Sequence, residues 1–383
     1  MNLKLMTSIL SVLLITSTFA QKRTQVASNF QLSKPTGEPM ATLININNFS
    51  MWIRADGLSA SNPFTGGDGA VFPRGTAPVV YTDGIVWAGF VKDEETPELR
   101  VGGHKFVAGT VPGRILDRGV PEDPNAPDVR IWRIRKDYQT ADLTRDAAEI
   151  NNVPVDEVTK AQIEAVRQQY EKDRNEWPWE KGAPFYDDNG NGALDPGEEP
   201  GLVNADQVVW FVANDLDSTA VESFAGSPPI GLEMQVTLWA YNQPSVLGNV
   251  IFKRYRLIYK GTAATPSNAH IENMYLGQYS EPDIGDYTDD FAGCDSLLSL
   301  AYAYNSSSMD SRFDEFQLIP PAVGYDIIQG PMVPGTANDV AIFDLKRRPG
   351  FKNLPMTSFI NDAAGSAFDI NPRPGSSAKF EWF

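Results

Sequence analysis

Cysteine, histidine and long apolar runs are nearly absent from this chain, and each absence removes a class of function. Cys294 is the single cysteine among 383 residues, so no disulfide forms within the chain and no cysteine-based zinc cluster can be assembled. A lone cysteine of this kind reads as a small buried apolar residue rather than a nucleophile. His104 and His270 are the only histidines; histidine-rich metal centres are excluded, a Ser-His-Asp triad has few candidates, and both residues read as structural. The zinc-protease motif His-Glu-x-x-His, the nucleophile elbow Gly-x-Ser-x-Gly and the phosphate-binding glycine loop are all missing. Basic residues are outnumbered 32 to 49, for a formal net charge of −17. That balance argues against nucleic acid and anionic membrane as partners and suits divalent cations, although most of the carboxylates read as solvated surface. No repeat at a fixed period is visible, which argues against a solenoid or a propeller.

A leader-like apolar run lies near the start. Lys4 precedes a stretch from Ile9 to Ile15, and small and polar residues follow to Ser17, Thr18, Phe19 and Ala20. Residues 1–20 therefore read as a secretory signal peptide cleaved after Ala20, and nothing downstream reaches the roughly 20 apolar residues of a transmembrane helix. The expected location is extracellular, at the cell surface or in the periplasm.

From residue 42 on, short apolar and aromatic runs alternate with Gly, Pro, Asn and Asp, which is the punctuation of strands and turns. Residues 21–135 form an N-terminal β-rich region, with runs at 43–53, 79–81, 85–91, 105–107 and 129–134. Residues 136–205 hold the one helical excursion: Ile163, Val166, Tyr170 and Trp177 share a face, Thr159 and Gln162 fit a capping box, and Pro178 stops the helix. In residues 206–330, a second β-rich region, 207–212 is a buried apolar run. Leu232, Met234, Val236, Leu238 and Ala240 alternate with polar residues or aromatics, and residues 250–260 alternate too, so the two stretches predict an antiparallel pair. Leu298, Leu300, Tyr302 and Tyr304 make one more alternating face, and residues 331–383 are a loop-rich tail. The expectation is a mainly β fold with an antiparallel β-sandwich-like body.

One stretch states a chemistry. In residues 187–198, Asp187, Asn189, Asn191, Gly192 and Glu198 occupy every fixed position of an EF-hand-like calcium loop. Calcium takes roughly six to eight oxygens. Side chains of Asp187, Asn189, Asn191, Asp195 and Glu198 and the carbonyl of Ala193 would supply them, Gly192 would take the sharp turn, and Leu194 would anchor inward. With three carboxylates the expected affinity is weak, on the order of 10⁻⁴ to 10⁻³ M. Gly182, Pro184, Pro196, Pro200 and Gly201 leave no room for flanking helices, so the loop should stand alone rather than as half of a paired sensor. The bland reading is a solvated acidic turn.

A second acidic cluster contains Asp283, Asp286, Asp289, Asp290 and, further on, Asp295. It reads either as an acidic loop or as a second site, for another calcium or for the paired carboxylates of glycoside hydrolysis. Residues 214–217 are a weaker case of the same kind. Trp87, Trp132, Trp210 and Trp239 sit in strand runs and read as core, whereas Trp177 and Trp179 read as an exposed aromatic patch.

Residues 205–217, 283–305 and 324–331 resemble a group of large exported proteins of Gram-negative bacteria that have no established activity. Many of these carry a C-terminal sorting domain for type IX secretion, often after fibronectin-type or immunoglobulin-like modules. The resemblance implies export and gives no catalytic residue. A sorting domain is not recognisable here, so the chain is expected either to belong to a longer protein or to leave by another route. The leading expectation is a calcium-binding, non-enzymatic surface or adhesion-type protein whose partners are calcium and an extracellular polysaccharide or another surface protein. The alternative is a carbohydrate-active protein, hydrolase or lectin, using the acids of residues 281–295.

Overall fold

Three asparagines set the first turn. The apolar run of residues 43–53 is interrupted by Asn45, Asn47 and Asn48, and Asn47 Oδ1 accepts the amide of Phe49 at 2.9 Å, so the run folds as a hairpin of two strands, β1 (Ala41–Ile44) and β2 (Ser50–Arg54). The computed structural model describes residues 30–94 and 96–361; the signal peptide read over residues 1–20 and the tail from residue 362 on lie outside them. After β2 come β3 (Ala70–Val71), β4 (Pro78–Lys92) and β5 (Glu98–Gly103). The runs at 79–81 and 85–91 are one 15-residue strand, β4. Residues 105–107 are a turn instead of a strand, closed by an isolated bridge between His104 and Ala108.

The chain continues through β6 (Val111–Pro112), a small ribbon of β7 (Ile115–Asp117) and β8 (Val120–Pro121), and β9 (Trp132–Arg135). Two helices follow, α1 (Thr144–Asn151) and α2 (Lys160–Asn175). The capping box is present at the start of α2: the Thr159 side chain accepts from the Gln162 amide, and the Gln162 side chain accepts from the Thr159 amide. Val166 and Tyr170 are buried, as their shared face requires. Asp173 is buried with them, paired to Arg130 and accepting the Arg133 amide at 2.8 Å.

The second β-rich region supplies β10 (Gln207–Asn214), β11 (Leu232–Ala240), β12 (Ile251–Tyr259) and β13 (His270–Pro282). Strands β11 and β12 form the expected antiparallel pair, and β10 pairs antiparallel with β11 on its other side. Between β10 and β11 lies α3 (Ser218–Ala225), capped by Asp217, whose side chain accepts the Ala220 amide. A short α4 (Ser311–Asp314) is capped by Asp310. The reading of a single helical excursion is therefore corrected: α3 and α4 were hidden because each is too short for a periodic pattern to rise above its caps.

All the named sheets are antiparallel, and the fold is mainly β. One sheet runs β1-β2-β3-β4-β13 with β5 on β4; another runs β12-β11-β10-β6 with β9 on β10. Ile44, Ile53, Val79 and Trp87 from the first sheet share one core with Val209, Phe211, Met234 and Leu238 from the second, each such buried side chain contributing about 1.5–3 kcal/mol. Every residue of β10 is buried, because its other face, Val208, Trp210 and Val212, is covered as well. The third sheet contains β14 (Asp290–Asp295), β15 (Leu300–Asn305) and β16 (Ala322–Asp326). Ribbons of β17 (Met332–Pro334) with β20 (Phe351–Asn353), and β18 (Val340–Phe343) with β19 (Lys346–Pro349), punctuate the loop-rich tail. Among the described residues no helix is long and apolar enough to cross a membrane.

Candidate metal site

The segment after α2 is fastened to the outer face of β10 by aromatic packing. Trp177 is buried and its Nε1 donates to the Pro184 carbonyl at 2.7 Å. Trp179, partly buried, meets Phe185 edge-on at 5.8 Å. The expectation of an exposed patch at Trp177 and Trp179 is thus corrected: the bare outer face of the sheet takes both rings, which makes Trp177 core. Gly182 lies at φ 105° against β11, where a Cβ would stand 2.6 Å from the Gln235 side chain, so only glycine lets the chain approach this closely. A two-sided clasp then closes the base of the acidic loop: Phe185 bridges Pro200, the Tyr186 amide donates to the Glu199 carbonyl at 2.8 Å, and the Gly201 amide donates to Pro184 at 2.8 Å. Arg174 at the end of α2 pairs with Glu199. Where a paired sensor would place two helices, this loop has a clasp, as Pro184 and Pro200 demand.

Within the clasp the fixed positions of the motif turn toward one another. Asp187 accepts the amides of Asn191 (3.1 Å) and Gly192 (3.0 Å). Glu198 accepts those of Asp188 and Asp195, each at 2.9 Å, and so ties both ends of the loop. Asn189 Oδ1 accepts the Asn191 amide at 2.9 Å and Asn191 Oδ1 accepts the Ala193 amide at 2.7 Å. The amide nitrogens of Asn189 and Asn191 both donate to Asp195 Oδ2, at 2.8 and 2.7 Å. Gly190 and Gly192 have φ of 73° and 79°, which side chains with a Cβ rarely adopt. Leu194, at the inward position, packs on the cluster of Trp132, Trp177 and Trp210.

The donor set is one of oxygens throughout, the chemistry of a hard cation. Each amide oxygen has two lone pairs, so Asn189 and Asn191 can hold their turn bonds and an ion together. Among the described residues no three Asp, Glu, His or Cys side chains gather into a metal-holding group by themselves. Asp187, Asp195 and Glu198 would need the two amides and the Ala193 carbonyl to complete a shell.

The second acidic cluster is dispersed by the fold. Asp283 is buried at the end of β13, where its amide donates to Val79. Asp286 holds the turn through the amide and hydroxyl of Thr288, which lower its pKa. Asp289 accepts from Asn305 Nδ2 (3.1 Å) and Ser306 Oγ (2.8 Å). Asp290 accepts the Ile284 amide at 2.8 Å; burial, with the charges of Asp289, Asp310 and Asp286, pushes it up to about 6. Asp295 sits at the opposite end of β14 from Asp290, where it caps the turn by accepting the amides of Leu297 and Leu298. The five aspartates are therefore not one site, since a strand of six residues separates its two ends. Asp310, absent from the sequence reading, joins Asp286, Asp289 and Asp290 by accepting the Asp286 amide at 2.8 Å; its N-cap position before Ser311 was the available signal.

The remaining candidates are structural. Asp215 accepts the amides of Ile230, Gly231 and Leu232, and Asn214 reaches the Gly113 carbonyl. His104 is fully buried, its Nε2 bonded to the Asp56 carbonyl at 2.9 Å, and burial lowers its pKa to about 4. His270 is exposed beside Glu272. Cys294 is exposed, contrary to its reading as a buried residue, because β14 lies at the edge of its sheet. Comparison with models of known families, with characterised proteins and with solved structures finds no match.

Proposed function

We propose that this chain is an exported calcium-binding protein of structural or adhesive kind, in which the EF-hand-like loop of residues 187–198 holds one calcium ion. The observation that carries the reading is the convergence of Asp187, Asn189, Asn191, Asp195 and Glu198 through hydrogen bonds inside one clasped loop. An ion there would replace the two amide N–H groups as the positive partner of Asp195. It would also bind the clasp to the aromatic cluster on β10, securing the helical segment on a β-sandwich-like body. The acidic balance and the leader-like residues 1–20 support export, to the surface, the medium or the periplasm, where calcium is abundant enough for a weak site. The chemistry of the loop is binding and not turnover, which supports a non-enzymatic role. Titration calorimetry with calcium chloride on the protein lacking residues 1–20 should give one site near 10⁻⁴ to 10⁻³ M, an order-of-magnitude expectation. The exchange of Glu198 for Gln should weaken that site at least about tenfold by removing one charge of the shell. Heat of binding that is unchanged in Glu198→Gln would place the ion elsewhere.

A further inference from the structure

The third sheet presents an outward face that carries exposed aromatic rings. Register places its side chains in three cross-strand rows: Phe291 beside Tyr304, Gly293 between Tyr302 and the edge, Asp295 beside Leu300, with Ala322, Gly324 and Asp326 completing the rows on β16. The opposite face carries Ala303 and Val323 into the shared core. A Cβ on Gly293 would stand 2.8 Å from Tyr302 Oη and 2.9 Å from its Cζ. The phenol ring of Tyr302 therefore lies down across the glycine and turns a ring face, not an edge, to the surface. Tyr304 stands 6.2 Å from it at 31°, and Phe291 stands 5.9 Å from Tyr304 at 41°. Phe291 and Tyr304 are 56% and 45% exposed.

We propose that this face, going beyond the calcium reading, is a binding platform for a neutral polysaccharide. A pyranose ring offers one flat C–H face to stack on an aromatic face and hydroxyls around its rim. The sheet offers the complement, with ring faces in the middle and carboxylates at one end, Asp295 and Asp326, to accept from hydroxyls. No residue of the three strands is basic, so a uronate or sulfated polymer meets like charge and no counter-charge. The rings are mutually inclined and cannot lie together on a flat crystalline surface, which selects a single twisted chain in solution.

Affinity electrophoresis through gels containing hydroxyethylcellulose, mixed-linkage β-glucan or dextran, with polygalacturonate as the anionic comparison, tests this. The expected result is retardation by at least one neutral polymer and none by polygalacturonate. Tyr304→Ala and Phe291→Ala, both exposed rings, should each weaken retention about tenfold, equivalent to ~1.4 kcal/mol, with the melting temperature held. Gly293→Ala is the sharper variant: it removes no ring but lifts Tyr302 from the sheet, and retention should fall with it. Three results would each overturn the proposal: no retardation of the native protein in any neutral polymer, retardation of Tyr304→Ala and Gly293→Ala equal to that of the native protein, or a ring-dependent dimer by sedimentation in the absence of polymer retention.

Discussion

His104 shows how much of this chain's chemistry is spent on packing. A Cβ on Gly57 would lie 2.3 Å from its Nε2 and one on Gly84 2.5 Å from its Cβ, so both neighbouring backbones are glycine where they pass the ring. Its folded pKa of about 4 lies below the 6.5 of an exposed histidine. Between those values the unfolded chain takes up a proton that the folded chain refuses, so this residue's contribution to stability is complete above pH ~6.5 and is lost as pH falls toward 4, by about 3 kcal/mol. Asp215 runs the other way, because burial pushes its carboxyl up to about 6, and its protonation favours the folded state as pH falls below that value. Replacing His104 by Gln keeps a donor near Asp56 and removes the titration. Urea melts at pH 7 and pH 4.5 should show the variant losing less stability on acidification than the native protein; equal losses would mean that the ring takes up its proton alike in the folded and unfolded chains. Asn189 and Asn191 carry the opposite lesson, since their side-chain oxygens make turn bonds and are the same oxygens the proposed ion would use.

At the scale of elements, the capping box is a local feature that spacing alone reveals. Thr159→Ala should cost about 1 kcal/mol in a chemical melt, and a loss near zero would show that α2 is held wholly by its packing. The same locality explains what was legible. β10, β11 and β12 announce themselves because apolar runs and period-two alternation are written within each strand, and the loop of residues 187–198 because its ligands are a few residues apart. β13 was missed: its pairing with β4 shifts between Glu272 and Tyr275, Asn273 sits at φ 49°, and the alternation breaks there. Residues 105–107 misled because a turn following His104 is as apolar as a strand. The aspartates of residues 283–295 were read as one cluster since sequence distance hides the length of β14. Glu233, Gln235 and Thr237 alternate with the apolar residues of β11, yet all three are buried. The segment carrying Lys181 covers that face, and Gln235 Nε2 donates to the Lys181 carbonyl at 3.1 Å. Coverage by a distant segment leaves no mark on a strand's own pattern.

The whole molecule is knit by a polar network where the helices meet the sheets. Arg133 on β9 donates to Asp146 of α1 at 2.9 Å; Tyr170 of α2 donates to the same carboxylate at 2.6 Å and receives Gln207 Nε2 of β10 at 2.9 Å. Asn45 completes it, its amide donating to Gln207 Oε1 at 2.7 Å. Arg133 and Asp146 are both buried, and the burial cost on each is met by the other. Arg133→Met should destabilise the fold by about 3–5 kcal/mol, because Asp146 would keep its charge without its partner; a loss below ~1 kcal/mol would mean that Tyr170 and Asn45 suffice. This network fixes the helical segment from one side, and the loop of residues 187–198 with its aromatic anchor fixes it from the other. An ion in the loop, as proposed, would therefore stabilise the junction on which the covered face of β10 depends. The most direct measurement is the melting temperature of the protein lacking residues 1–20, in EDTA and through a calcium titration to 10 mM, beside Asp187→Ala. The expected result is a rise of ~2 °C in the native protein, from about 1.4 kcal/mol of linkage at a millimolar site, and none in the variant. A native melting temperature indifferent to calcium, or a variant that gains as much as the native protein, would contradict it.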